Sequence, residues 1–224
     1  MSKSNKDIIL GLMKAEDEKQ VDKWEEYISE DYVYHVSPYV GLGFNIDDSE
    51  EGKLKVIYLA KGSPAEKALQ IGDEIVGMAD ELHSTQSVEE LRKGMGGSWG
   101  QGEIGTPITV TVIRDGAKMD LELTRAKIEG LDIHYAKQKD IWQHNLLTAV
   151  DNQKSELLHY FEDGDMVMFY TRISGTVNEF GRSAIWEEAM VARIKDGKLV
   201  EAWSVGPGLE YYTQLGFKIE PPKA

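Results

Sequence analysis

Between residues 39 and 128 the chain changes texture, and this constrains its fold more than any other feature. Short runs of alternating apolar residues (VGLGFNI, LKVIYLA, EIVGM, PITVTVI and DLELTRA) are separated there by turns rich in glycine and aspartate. Apolar side chains recurring every second residue mark half-buried strands, and Gly/Asp clusters mark the turns between them. A compact β-rich module with two short helices is predicted for this stretch.

The sequence on either side reads differently. Residues 5–30 carry Ile8, Ile9, Leu12, Met13, Val21, Trp24, Tyr27 and Ile28 at mostly helical spacing, which predicts one or two amphipathic helices. A brief alternating run, DYVYHV, ends at Ser37-Pro38, where proline removes a backbone donor. After Gly130 a long helical pattern carries Ile133, Trp142, Leu146, Leu147 and Val150, and three long strands follow: MVMFYTRISGTV, SAIWEEAMVARI and KLVEAWSV. The last two meet at Asp196-Gly197, residues that tolerate the positive φ of a tight hairpin turn. GLEYYTQLGF is predicted to be a short closing helix, with Pro221-Pro222 ending the ordered chain.

Composition removes several classes of function. The formal charge is −14 and no Lys/Arg stripe is visible, so nucleic acid and anionic membrane are not expected partners. There is no cysteine, which excludes disulfides, thiolate nucleophiles and cysteine-ligated zinc. No apolar run approaches the length of a membrane-spanning helix, and the N-terminus lacks a signal-peptide pattern, so a cytoplasmic location is expected. His83, His134, His144 and His159 lack metal-ligand spacing, and residues 47–51 read as a solvated acidic loop. Gly100, Gly102 and Gly105 spell GxGxxG, but the stretch that follows is strand-like where dinucleotide binding needs a helix. No metal or cofactor is expected.

Within the β-rich stretch five blocks stand in order: Gly41-Leu42-Gly43-Phe44, GSPAEKA from Gly62, IGDEIV from Ile71, SVEEL from Ser87, and the closing pair VIRDG and LTRAKI. Together they resemble a PDZ domain of the permuted kind found in carboxy-terminal processing proteases. The resemblance implies an extended peptide or protein C-terminus added to a free strand edge by main-chain hydrogen bonds, with the glycines at 41 and 43 forming a nest for its carboxylate. Gly41, Leu42, Gly43 and Phe44 would hold the terminus, Leu42 and Phe44 would form an apolar pocket, and Val88 and Arg92 would line the groove. Ser87 and Glu90 have capping-box spacing. Trp99, at the tip of a long glycine-rich loop, is placed to cap the groove or a partner domain.

With residues 38–128 removed, 1–37 and 129–224 read as one domain of ordinary size. DYVYH, the stretch from Phe161 to Val167, Ser174-Gly175-Thr176, KDGKLVEAW and Gln214-Leu215-Gly216 resemble the SnoaL-like polyketide cyclases of the nuclear-transport-factor-2-like fold. The expected class is therefore α+β: a cone-shaped, curved antiparallel sheet wrapped on helices, carrying the inserted module and dimerising through its sheet. The resemblance places a pocket histidine at His35, the first acid/base candidate. Tyr32, Trp142, Tyr170, Trp186 and Trp203 are candidate walls of an apolar ligand pocket, against the plain alternative of a packed core. Glu187 and Glu188 are adjacent carboxylates which, on a strand, point to opposite faces, so at most one serves a pocket. Pro207 stands where relatives often carry an aspartate. The leading expectation is a homodimeric binding protein whose insert captures a peptide while the cone holds a small apolar ligand. Its competitor is a small-molecule isomerase, cyclase or lyase using His35 and Glu187 or Glu188.

Overall fold

The computed structural model describes residues 3–217 apart from positions 49, 51, 82, 95–99, 101 and 179; the side chains of residues 92–94 are also not described. The Arg92 side chain, Trp99 and Pro221-Pro222 fall outside the described residues. The chain divides into two compact units, Met1–Val36 with Asp132–Ala224, and Ser37–Leu131.

The discontinuous unit begins with helix α1 (Asn5–Asp17). The Ser4 hydroxyl accepts from the Asp7 N–H while the Asp7 carboxylate accepts from the Ser4 N–H, so two orphan donors of the first turn are satisfied together. Ile8, Ile9, Leu12, Met13 and Ala15 are buried, the stripe a helix lays against a core. A short helix α2 (Val21–Glu25) and strand β1 (Ile28–Val36) follow.

The inserted unit contains β2 (Tyr39–Gly41), β3 (Phe44–Asp47), β4 (Lys55–Leu59), α3 (Pro64–Ala68), β5 (Glu74–Ala79), β6 (Ser84–Thr85), α4 (Val88–Gly94), β7 (Pro107–Arg114), β8 (Ala117–Thr124) and β9 (Ala126–Ile128). Five strands form one sheet in the order β3-β4-β5-β7-β8, with β6 on β5, and β2 pairs separately with β9. That small ladder joins Tyr39 to Ile128, so the unit's first and last strands run side by side, which is how an insert can leave and return to its host at one place. The core gathers Leu54, Val56, Ile75, Leu91, Val110 and Val112. Asp73, nearly fully buried, receives two hydrogen bonds from Arg114 at 2.7 and 2.6 Å. This pairing holds its carboxyl below the ordinary range against the opposing effect of burial.

The discontinuous unit resumes with β10 (Leu131–His134), α5 (Tyr135–Thr148), β11 (Val150–Asp163), β12 (Met166–Val177), β13 (Arg182–Lys195), β14 (Lys198–Val205) and α6 (Leu209–Gln214). Its sheet runs β10-β1-β14-β13-β12-β11. β11 to β14 form an antiparallel meander with register shifts in two of its ladders, and β1 adds to β14 in parallel. Asp196 and Gly197 take φ of 50° and 79° at the β13–β14 turn, as a tight hairpin requires. One face is covered by α1, α2 and α5 around Ile8, Ile9, Trp24, Tyr32, Tyr135 and Ala202. The expected run of three long strands is corrected to four: β11 begins at Val150, where the helical pattern was expected to end. Among the described residues no helix is long and apolar enough to cross a membrane.

Candidate functional site

The helix-covered face carries an open cavity of about 290 Å3, lined by half-buried Glu16 and by Trp24, Trp142, Asn145, Gln153 and Ile173 among others. Glu16 stands in the last turn of α1, four residues after Leu12 and three after Met13, on the stripe those residues bury. Trp24 of α2 donates its indole N–H to Glu16 Oε1 at 2.9 Å. Edge-to-face contact with Tyr135 and tilted contact with Trp142, at 5.6 and 6.1 Å between centroids, fix that indole. The end of α1 is anchored next door, where Asp17 accepts from the N–H and hydroxyl of Ser155 at 2.9 and 2.7 Å.

Among the described residues no cation contributes to the electrostatics of Glu16. Burial pushes its carboxyl up to about 7, the Trp24 hydrogen bond opposes this, and the charges of Glu188 and Asp17 add to it. A carboxyl that titrates near neutrality can give or take a proton under ordinary conditions, which a solvated glutamate does poorly. The sequence did not single out Glu16.

The register of β13 places the two sequence-chosen glutamates on opposite faces. Glu188 pairs with buried Thr171 and shares its inward face; burial raises its carboxyl, with Trp186 opposing. Glu187 faces the other way, accepting hydrogen bonds from the Tyr170 hydroxyl and, at 3.0 and 2.7 Å, from Arg172. These partners, Tyr170 first, hold its carboxyl below the usual range.

His35 lies on that same outward face, because β1 pairs it with Trp203. Its ring stacks on the Trp203 indole at 4.5 Å, with Nδ1 2.8 Å from Asp132 and Nε2 3.4 Å from Glu201. Glu201 also accepts from Arg193, and Arg193 donates to both oxygens of Asp165 at 2.9 and 2.8 Å. Thus His35, Glu187 and Glu188 do not converge: two stand on the outward face in paired, solvated surroundings, and one on the inward face. Phe161, Met168, Val191 and Trp203 are successive cross-strand partners on the outward face, all among the exposed large apolar side chains.

The five proposed pocket aromatics are also distributed. Trp142 lines the Glu16 cavity, and Tyr32 is buried in the core against Trp142, 5.5 Å between centroids. Tyr170 and Trp186 line a second cleft beside β13, and Trp203 stacks on His35.

In the inserted unit, Gly41 ends β2 and Gly43 takes φ of +83°. Leu42 is 2% exposed within the core, its carbonyl accepting from the Ala65 N–H, so it is packed structure and not an open pocket wall. Phe44 opens β3, an edge strand of its sheet. Val88 begins α4 and packs on the core. Half of the expected capping box is present: Ser87 Oγ accepts from the Glu90 N–H at 3.3 Å, while the Glu90 carboxylate instead takes the Thr85 hydroxyl at 2.5 Å. Among the described residues no cluster of three or more His, Asp or Glu side chains could hold a metal ion.

No family model matches the chain, and no curated protein does. Among solved structures it is similar to IdmH from Streptomyces antibioticus, a proposed polyketide cyclase, at 14% identity and a TM-score of 0.47, covering 96% of this chain and 100% of that one. AclR from Streptomyces galilaeus, a proposed hydroxylase, is 12% identical at a TM-score of 0.43, covering 97% and 84%. The peptide-bound PDZ domain of the carboxy-terminal protease from Vibrio cholerae is 20% identical at a TM-score of 0.34, covering 41% of this chain and 97% of that domain. At these TM-scores the likenesses carry no argument about function, which rests on the geometry above.

Proposed function

We propose that the protein is a small-molecule enzyme working by proton transfer at Glu16, of the isomerase, cyclase or lyase type, and that its β-rich insert is an accessory peptide-binding module. The observation that carries this reading is a carboxyl held near neutrality in a cavity of about 290 Å3 with indole walls and no opposing cation. In its ionised form Glu16 would take a proton from a carbon next to a carbonyl, leaving the electron pair as an enolate; the protonated form would then return a proton to carbon. Trp24 holds one carboxyl oxygen, leaving the other for substrate. Asn145, on the cavity wall, is placed to orient a carbonyl oxygen. His35 takes no part.

The test works with a general panel of carbon acids. Incubating small apolar ketones and β-dicarbonyl compounds with the protein in D2O should give protein-dependent hydrogen–deuterium exchange at carbon. Glu16→Gln should lose it by at least about a hundredfold. Exchange surviving that substitution, or absent throughout the panel, would overturn the proposal.

The peptide-binding reading of the insert is favoured by one observation: β3 has a neighbour on one side only, with Gly43 opening the turn before it. Peptides with a free C-terminal carboxylate are expected to bind more tightly than the same peptides amidated. Equal affinity would remove the carboxylate nest.

The outward face of the larger sheet we take to be the contact between two copies. Its apolar line is flanked by two ion pairs, Arg172 with Glu187 and Arg193 with Glu201, the polar rim that an apolar contact between copies needs.

A further inference from the structure

β13 outruns its neighbour. The last pair joining it to β14 is Ala189 with Val205, whereas its pairing with β12 continues without a shift to Arg182 opposite Val177. Over the seven residues 182–188 one edge of β13 therefore has no strand beside it among the described residues. At Ile185 a side chain fills the gap: the Gln214 carboxamide accepts from the Ile185 N–H and donates to the Ile185 carbonyl, both at 2.8 Å. A carboxamide acts there as a strand residue would.

In an antiparallel strand the N–H and C=O of every second residue face the same edge. Ile185 bonds Gln214 on this edge and Ala189 meets Val205 on it, so Glu187, midway between them, also turns its N–H and C=O this way. The chain that would have served it is Gly206-Pro207-Gly208. Pro207 has no N–H, and no main-chain hydrogen bond joins this loop to Glu187 among the described residues. Between the loop, α6 and the edge lies a cleft of about 490 Å3, lined by Glu187, Glu188, Trp186, Val205, Gly206 and Tyr211 among others. Trp186 and Tyr211 meet edge to face at 5.2 Å, giving it an aromatic wall.

We propose that this cleft binds a small cyclic amide or imide, whose adjacent N–H and C=O pair with the Glu187 main chain as the Gln214 carboxamide pairs with Ile185. Geometry sets the class. A ring amide and a primary carboxamide present donor and acceptor on the same side, whereas an open-chain trans secondary amide presents them on opposite sides and cannot bond both groups of one residue. Glu188 offers a second polar contact from the inward side, and burial favours its protonated, O–H-donating form. The cleft and the Glu16 cavity share no lining residue.

The test is an amide-resolved NMR titration of the full chain with three ring compounds of one size: δ-valerolactam, N-methyl-δ-valerolactam and δ-valerolactone. The lactam should move the Glu187 amide resonance, and the two compounds lacking N–H should bind on the order of tenfold more weakly. A Cβ at Gly206, on the cleft wall, would meet nothing within 4 Å, so Gly206→Phe should fold, fill the cleft and abolish lactam binding while leaving exchange at Glu16 unchanged. Equal binding of the three compounds, an unmoved Glu187 amide at saturation, or undiminished binding by Gly206→Phe would each overturn the proposal.

Discussion

Glu16 and Glu201 are both glutamates close to a tryptophan on the same sheet unit, yet the two faces treat them in opposite ways. Glu201, on the outward face, sits against Arg193 and His35, and Arg193 above all keeps its carboxyl below the usual range. Glu16, on the helix-covered face, has an indole N–H and two acidic neighbours but, among the described residues, no cation, and its carboxyl is pushed up to about 7. The outward face pairs its glutamates with arginine, and for that reason Glu187 and Glu201 are held ionised. On the inward face burial raises the carboxyls of both Glu16 and Glu188, and Glu16 is brought near neutrality. Chemistry by proton transfer belongs where the charge is left unpaired.

The strongest way to break this comparison is through the proton. Glu16→Gln should abolish carbon-bound exchange, whereas His35→Ala should leave its rate within about twofold of the unaltered protein. A dependence on His35 would transfer the chemistry to the outward face.

The second route is stability against pH. A carboxyl whose folded value lies above its unfolded value favours folding most when both states are protonated. Stability due to Glu16 is therefore full below about 4.5 and is lost as pH rises to about 7. Urea unfolding should show a loss of about 3 kcal/mol as pH rises through that window, and Glu16→Gln should remove it. Trp24→Phe, which deletes the opposing hydrogen bond, should move the Glu16 midpoint upward; a downward movement would show that the indole is not what restrains it.

The outward face should answer differently again. Trp203→Asp, placed in the apolar line, is expected to weaken self-association by roughly thirtyfold in sedimentation experiments. Self-association untouched by the substitution, or an unaltered protein that is already monomeric, would remove the two-copy contact. The smallest effect belongs to His35→Ala, a loss within about 1 kcal/mol, since partly solvated polar contacts stabilise little.

These differences also mark how far the sequence could be read. Asp196-Gly197 specified its own turn, because positive φ is a local property. The pleat alone separated Glu187 from Glu188. β11 was not legible because it is the sheet's edge strand: VDNQKSELLHYFED is largely polar and shows little of the apolar alternation that exposes a strand. The side taken by His35 depended on its parallel pairing with Trp203, a contact 168 positions distant along the chain that no local pattern encodes. Glu16 was hidden in an acidic run, Glu16-Asp17-Glu18, that reads as solvated helix surface. Its signal was nevertheless present, since Ile9, Leu12, Met13 and Glu16 fall at i, i+3, i+4 and i+7, the positions of a buried stripe. A carboxylate at such a position should be counted with the helix face that meets the sheet, where Glu16 is half-buried.

The most direct measurement is the titration of the Glu16 side-chain carboxyl by carbon-detected NMR, with Glu16→Gln used to assign the resonance. A midpoint near 7 is expected. A midpoint near 4.5, the value of an ordinary solvated glutamate, would show that the cavity does not hold back its charge, and proton transfer at Glu16 would have to be given up.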